Sequence, residues 1–260
     1  MTTATAMWAL EGPSFTMDAG HLVLGMAGKV VTPIPCFLVQ HERGLVLFDT
    51  GLVPEAAGDP VAFYGQERAD HLGVRYEKRQ RVDFQIAAAG FSTSDVTHVV
   101  LSHAHADHTG GLRFFPHTRI YAGAGELGHA YWPGPPQRHG YFRYTDLDPA
   151  RDFDWREVDR DLDLFGDGSL RIVTLPGHTP GSIGLVVRLP SRSFVLTGDA
   201  VHLRCALDDC LPMGSDWNTQ ESVRSIRRLR ELAEEHRARV WIGHDPQDWE
   251  ELTAEGREFR

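Results

Sequence analysis

The stretch THVVLSHAHADHTGG, residues 97–111, decides the fold. Residues 97–102 are mostly β-branched or apolar and read as a buried strand. That strand runs without a linker into His103-Ala104-His105-Ala106-Asp107-His108, four metal-binding side chains within six residues. Side chains alternate along an extended chain, so His103 and His105 point the same way at the strand end. Ala104 and Ala106 avoid crowding. Gly110 and Gly111 let the backbone turn tightly, which carries Asp107 and His108 toward a neighbouring site. Four such groups this close repel one another or desolvate badly unless they share a cation. The pattern predicts a metal-binding loop at the end of a core strand.

Three later stretches share this grammar. LRIVTLPG (170–177) leads to His178, SFVLTG (193–198) leads to Asp199, and RVWIG (239–243) leads to His244. Strand ends along one sheet edge are where ligands converge. With the first cluster they make five His and two Asp. That set suits two borderline cations with nitrogen and oxygen ligands, Zn²⁺ foremost, with Fe²⁺, Mn²⁺ and Co²⁺ also suited. The chain holds 14 His against 6 Tyr and 6 Trp, so histidine is prominent overall as well as locally.

Outward from these motifs, CFLVQ (36–40), LVLFD (45–49), RIYAG (119–123) and IGLVVRL (183–189) read as further strands, as does HLVLGM (21–26). Val82, Ile86 and Ala89 recur at helical spacing, and Gly90 closes that helix. Another helix is expected over 124–131. Residues 54–80 read as a long loop with room for a short helix, and the prolines of 131–140 exclude regular structure there. Asn218 with Glu221 resembles a capping box. Val223, Ile226, Leu229, Leu232 and Ala233 then form one apolar stripe, with the intervening arginines read as a solvated face. Strands followed by a helix occur in both halves, which predicts an α/β protein of two mixed β-sheets packed face to face with helices outside.

The chain has 260 residues and a formal net charge of −10. An acidic surface is repelled by phosphate backbones, so nucleic acid is not the expected partner. No apolar run approaches the roughly 18 residues of a membrane span, and the start lacks the features of a secretory signal. Three Cys make no disulfide framework and predict free thiols in the cytoplasm. We expect residues 1–260 to form a single domain.

HAHADH (103–108), PGHTPGS (176–182), GDA (198–200) and GHD (243–245), in that order, resemble the metallo-β-lactamase superfamily, as does FDTG at 48–51. Within it the chain is most similar to the N-acyl-homoserine lactonases, the quorum-quenching lactonases. The likeness rests on PIPCFLVQHERGLVLFDTG near the start, the helix before VLSHAHADHTGG, and the ending WIGHDPQDW. The resemblance implies an αββα sandwich and a dinuclear centre. One ion would take His103, His105 and His178, the other Asp107, His108 and His244, with Asp199 between them. It implies a metal-dependent hydrolase of carboxylic esters, in which a hydroxide bridging two divalent ions opens the ring of a small-molecule lactone. Asp107 would carry the proton, and Asp49 is read either as orienting a ligand His or as stabilising its own turn. The family's Tyr, three residues past the bridging Asp, is His202 here, read as an N–H donor to the substrate carbonyl. A monomer or homodimer is expected. Met26, Phe63, Tyr64, Trp132, Tyr141 and Phe142 are positioned to line an acyl groove or to pack under loops. A glyoxalase II-like thioesterase and a mononuclear-iron persulfide dioxygenase share overlapping ligand motifs and stand as the alternatives.

Overall fold

The computed structural model describes residues 3–260 apart from 139 and 255. Fourteen strands are described: β1 (Ala4–Leu10), β2 (Ser14–Asp18), β3 (Lys29–Pro33), β4 (Cys36–His41), β5 (Gly44–Phe48), β6 (Val96–Val100), β7 (Arg119–Gly123), β8 (Asp154–Val158), β9 (Leu162–Asp163), β10 (Leu170–Thr174), β11 (Ile183–Arg188), β12 (Ser193–Leu196), β13 (Ala238–Trp241) and β14 (Glu258–Phe259). The α-helices are α1 (Ala19–Leu22), α2 (Pro60–Tyr64), α3 (Gln66–Leu72), α4 (Val82–Ala88), α5 (Ala106–Thr109), α6 (Glu126–Tyr131), α7 (Arg204–Asp209), α8 (Thr219–His236) and α9 (Pro246–Thr253).

The strands form a seven-stranded sheet ordered β14-β1-β4-β5-β6-β7-β8, a five-stranded sheet ordered β13-β12-β11-β10-β9, and the hairpin β2-β3. Both large sheets are mixed. β5 through β8 pair in parallel, as do β12 and β13, while the other pairings are antiparallel.

Alternation along the strands assigns each layer. Met7, Phe37, Val39, Val46, Phe48 and Val100 of the first sheet meet Ile172, Ile183, Leu185, Val187, Phe194 and Trp241 of the second, forming the central core. On the far face of the first sheet, Leu38, Leu47, Val99 and Ile120 pack with Val82 and Ile86 of α4 and Ala130 of α6. On the far face of the second, Val173, Val186, Val195 and Val240 pack against Ile226, Leu229 and Leu232 of α8. Central strands buried on both faces must be apolar throughout, which is why they read as runs rather than alternations. Removing this apolar area from water is the main favourable term in the fold, at roughly 25 cal/mol per Å². The two-sheet sandwich with outer helices is as the sequence predicts.

Several local expectations change. HLVLGM is not a strand: α1 ends at Leu22, and Gly25 and Gly28 sit at φ 88° and 97°. Its apolarity serves packing, because Leu22 and Val23 are buried against the second sheet's outer cluster. The segment 54–80 carries two short helices, α2 and α3. The Asn218 cap is present, accepting from the backbone N–H groups of Gln220 and Glu221 at 3.0 and 3.2 Å. Arg228 departs from a purely solvated face: it donates to both Asp161 carboxylate oxygens and to the Thr174 carbonyl, tying α8 to the sheet.

Gly110 lies where the metal-type loop crosses the turn after β5. A Cβ there would stand 1.9 Å from the Val53 nitrogen and 2.2 Å from the Leu52 carbonyl carbon, both backbone. Gly128, within α6, has nothing within 4 Å of its Cβ position. Gly110→Ala is expected to destabilise by about 1–3 kcal/mol or more, as overpacking does. Gly128→Ala is expected to stabilise by about 0.5–1 kcal/mol through helix propensity. Urea unfolding of the two variants checks the pair, and equal effects would contradict the packing described.

Candidate metal centre

β5, β6, β10, β12 and β13 all deliver their C-terminal ends to one edge of the sandwich. There the chain leaves each strand at Asp49, His103, His178, Asp199 and His244 respectively. α5 begins just after His105 and brings Asp107 and His108 back over the same edge.

The structure gathers every sequence-selected ligand candidate. The ligand atoms of His103, His105, His178 and Asp199 lie within 4.8 Å of one another, as do those of Asp107, His108 and His244. His105 Nδ1 is 2.9 Å from His103 Nε2 and 3.0 Å from His178 Nε2. Asp199 stands between the two groups. Its Oδ1 is 3.1 Å from His244 Nε2 and 3.3 Å from His108 Nε2, while its Oδ2 is 3.6 Å from His178 Nε2 and 3.7 Å from His103 Nε2. Asp107 Oδ2 is 3.5 Å from His108 Nε2 and 3.6 Å from His244 Nε2. Asp107 is half-buried and the other carboxylate, Asp199, is buried.

A surrounding layer fixes how the imidazoles face. His108 Nδ1–H donates to Asp49 Oδ2 at 2.9 Å, His178 Nδ1–H to Asp216 Oδ1 at 3.1 Å, and His244 Nδ1–H to the Pro33 carbonyl at 2.8 Å. These acceptors carry no proton to give, so each leaves an Nε2 lone pair turned to the site. Of the two tasks considered for Asp49 the structure shows the first, orienting a candidate ligand His; its other oxygen, Oδ1, accepts from the Ser102 N–H at 2.7 Å, bracing the loop after β6 instead of its own turn. Asp49 does so at φ 61°, a left-handed conformation that Asp tolerates better than most residues.

This donor set fits divalent cations. Lone pairs of His103, His105 and His178 face each other at about hydrogen-bond distance, and one ring nitrogen can accept only one proton. His108 Nε2 and Asp199 Oδ1 are buried without a hydrogen-bond partner. Burial lowers His244, but the Asp199 and Asp107 carboxylates outweigh it and push the group up to about 9. His108 is likewise raised, against its burial, by Asp199, Asp107 and Asp49. Burial also works to raise Asp199, and the surrounding imidazoles, led by His244 and His108, hold it well below the usual carboxylate range instead. The two carboxylates thus favour positive charge among these imidazoles, the charge that a bound cation would supply. By contrast, burial pushes His105 down to about 3.

Two members of the surrounding layer escaped the sequence reading. Asp216 lies in an irregular stretch whose spacing gives no sign of His178. Glu126 is buried at the start of α6. Its carboxylate accepts from the Ala104 N–H (2.8 Å), the Thr179 hydroxyl (2.6 Å) and the Gly181 N–H (3.1 Å), tying the two halves of the site together. Burial raises its pKa, and those three donors oppose the shift.

A cleft of about 210 Å³ opens over the centre. His105, Asp107, His178, Asp199, His202 and His244 form its floor, and Phe15, Met17, Leu22, Leu72 and Met213 its apolar wall. None of the six aromatic or apolar residues considered for an acyl groove lines it. Trp132 is 82% exposed and Met26 is on the surface, while Tyr141 packs on the His105 ring at 4.6 Å. The wall comes instead from β2, α1, α3 and the loop between α7 and α8. Phe15 and Met17 alternate on one face of β2, a signal available only once that strand is recognised.

The sequence matches the model of the metallo-β-lactamase superfamily over residues 30–237. The chain belongs to that superfamily. N-acyl homoserine lactonase AttM of Rhizobium radiobacter is 36% identical over 220 residues, covering 84% of this chain and 83% of the relative. N-acyl homoserine lactonase AiiA of Bacillus thuringiensis subsp. kurstaki is 25% identical over 220 residues, with 84% of each protein covered. Among solved structures, an N-acyl homoserine lactone hydrolase with N-hexanoyl-L-homoserine at its catalytic metal centre superposes with a TM-score of 0.82. It is 22% identical and covers 96% of both chains. AidC, a dizinc quorum-quenching lactonase, superposes at 0.69 with 16% identity, covering 94% of this chain and 91% of its own. At those identities the two superpositions speak for the metallo-β-lactamase fold.

The layer around this metallo-β-lactamase site yields a direct test. Asp216→Ala removes the acceptor that orients His178 and is expected to weaken zinc binding by about 10–100-fold, with Asp216→Asn losing less because an amide oxygen still accepts. Competition against a chromophoric chelator measures both. Undiminished affinity in the alanine variant would contradict the orienting role.

Proposed function

We propose that this chain opens the lactone ring of N-acyl-homoserine lactones, or of related lactones, as a dinuclear-metal hydrolase. The observation that carries the reading is the pairing of the His/Asp floor with an apolar-walled cleft. Among the described residues no Lys or Arg lines that cleft. A neutral ester with an aliphatic tail suits such a wall. The anionic thioesters of a glyoxalase II-like enzyme would need a cation to meet them. The relatives named as N-acyl homoserine lactonases support the same choice.

In this reading His103, His105 and His178 hold one divalent ion and Asp107, His108 and His244 the other, with Asp199 shared. Zn²⁺ is the expected metal. Bound there, the ions supply Lewis acidity that brings a water's pKa toward neutrality and draws charge from the lactone carbonyl. Asp107 is the more exposed carboxylate at the floor and lines the cleft. It takes the proton from the attacking water and delivers it to the ring oxygen, which leaves as a hydroxyl when the acyl C–O bond breaks. Asp49 and Asp216 keep the imidazole lone pairs facing inward. His202 also lines the floor. Its expected role as donor to the carbonyl has to be set beside its observed partner, since its Nε2 lies 3.1 Å from Asp199 Oδ2. Among the described residues no helix is long and apolar enough to cross a membrane. The three cysteines are free thiols, as a reducing compartment such as the cytoplasm favours.

Three outcomes test this reading. Fully loaded protein is expected to carry about two ions per chain by elemental analysis, and one or fewer would count against the dinuclear centre. In a pH-stat assay, turnover is expected on acyl lactones and not on a thioester or a β-lactam, with no oxygen consumed. Asp107→Asn is expected to lower kcat on the order of 10²-fold or more with little change in KM, the range for a lost acid–base group. Near-normal kcat with both ions retained would remove Asp107 from the proton path.

A further inference from the structure

Asp199 has one imidazole more around it than the seven-ligand arrangement uses. His202 is buried, and its Nε2 approaches Asp199 Oδ2 at 3.1 Å, closer than His103 or His178 approaches the same oxygen. Its ring lies parallel to that of His244, with centroids 5.6 Å apart and planes at 12°, and 5.1 Å from the ring of His178. The donor atoms of Asp199, His202 and His244 lie within 4.8 Å of one another, the same closeness that defines the two sets already described. All three residues of this third set are buried, whereas Asp107 is half-buried.

We propose that His202 is an eighth metal ligand, which with Asp199 and His244 keeps the second ion bound when Asp107 is not coordinating it. The proposal rests on the dinuclear reading and adds a residue to it. Asp107 is the most exposed of the candidate ligands of that ion and lines the open cleft, whereas Asp199, His202 and His244 are buried together beneath it. Without Asp107 the second ion keeps His108, His244 and a share of Asp199. His202 supplies a further nitrogen.

The backbone around His202 is built for a fixed position. The Arg204 N–H donates to Asp245 Oδ2 at 2.6 Å, and the Arg204 guanidinium binds the Asp248 carboxylate and, at 2.8 Å, the Val240 carbonyl. The segment bearing His202 is thereby tied directly to the segment bearing His244. A ligand needs that rigidity, because donor atoms must be held to a few tenths of an ångström.

The ligand role and the substrate-donor role demand opposite tautomers. A nitrogen that binds an ion must present a bare lone pair, while one that donates to a carbonyl must carry a proton. The nitrogen turned to Asp199 is Nε2, so the two roles compete for one atom.

The test uses full-length protein stripped of metal and titrated with Co²⁺ and with Zn²⁺ against a competing chelator. Wild type, His202→Ala, His202→Phe, His202→Tyr and Asp107→Asn are compared. Phenylalanine keeps a ring to stack on His244 without a nitrogen, so it serves if alanine impairs folding, which circular dichroism reports. Orienting partners of a ligand are worth about 10–100-fold in affinity, so loss of a ligand itself is expected to weaken the weaker ion by at least about tenfold. His202→Ala and His202→Phe should show that loss together with a changed Co²⁺ visible spectrum, and His202→Tyr should not restore the wild-type spectrum. Asp107→Asn should retain both ions within about tenfold. Unchanged affinities and spectra in both His202→Ala and His202→Phe would overturn the proposal. If turnover then fell and recovered in His202→Tyr, the substrate-donor role would stand in its place. A wild type that binds fewer than two ions would overturn the dinuclear reading, and this proposal with it.

Discussion

Like-signed lone pairs and carboxylates crowd around Asp199, and that crowding is the constraint the rest of the structure answers. Six imidazoles, His202 among them, and Asp107 meet it at the edge where both sheets end, in a largely buried setting where water cannot spread the charge. The surrounding hydrogen bonds follow from this. Asp49, Asp216 and the Pro33 carbonyl each accept a hydrogen bond from an Nδ1–H, which leaves Nε2 facing inward. Glu126 braces the His103 loop against the His178 loop by binding three donors from both. The two-sheet core supplies the rigid frame, because the side chains that must converge come from strands of different sheets.

The ligand candidates were legible in the sequence because each follows an apolar strand, and strand ends are short, stereotyped structures. The two mixed sheets were legible for a related reason: central strands buried on both faces leave long apolar runs, as in IGLVVRL and SFVLTG. The less regular parts were not. HLVLGM has a strand's composition, yet its Gly25 and the following Gly28 adopt positive φ, and Leu22 and Val23 are buried in the cluster that includes α8 instead of pairing in a sheet. β1, TATAMWAL without its first residue, hides because small Ala residues carry little pattern. Asp216 and Glu126 gave no signal, since their partners lie 38 and 22 or more residues away and only the folded chain brings them together.

The cleft shows the same division. Its floor is written in motifs, and its wall is assembled from β2, α1, α3 and the loop between α7 and α8, segments that are short and individually marginal. Under the proposed function this puts the chemistry on the rigid sandwich and the choice of substrate on the appended hairpin and helices, the usual separation between scaffold and specificity. It also accounts for the aromatic residues that could have lined an acyl groove or packed under loops, none of which lines the cleft. Trp132 and Phe142 sit in loops near the site in sequence, but the polypeptide leads them away from it or into satellite packing, where Phe142 meets Tyr64 at 5.7 Å.

The central claim is that the floor of this cleft exists to hold two cations astride Asp199. Its most direct test is anomalous diffraction at the zinc absorption edge from crystals of the zinc-loaded protein. The account predicts two peaks, one among His103, His105 and His178 and one among Asp107, His108 and His244, with Asp199 touching both. A single peak, or none at these residues in crystals of loaded protein, would contradict it.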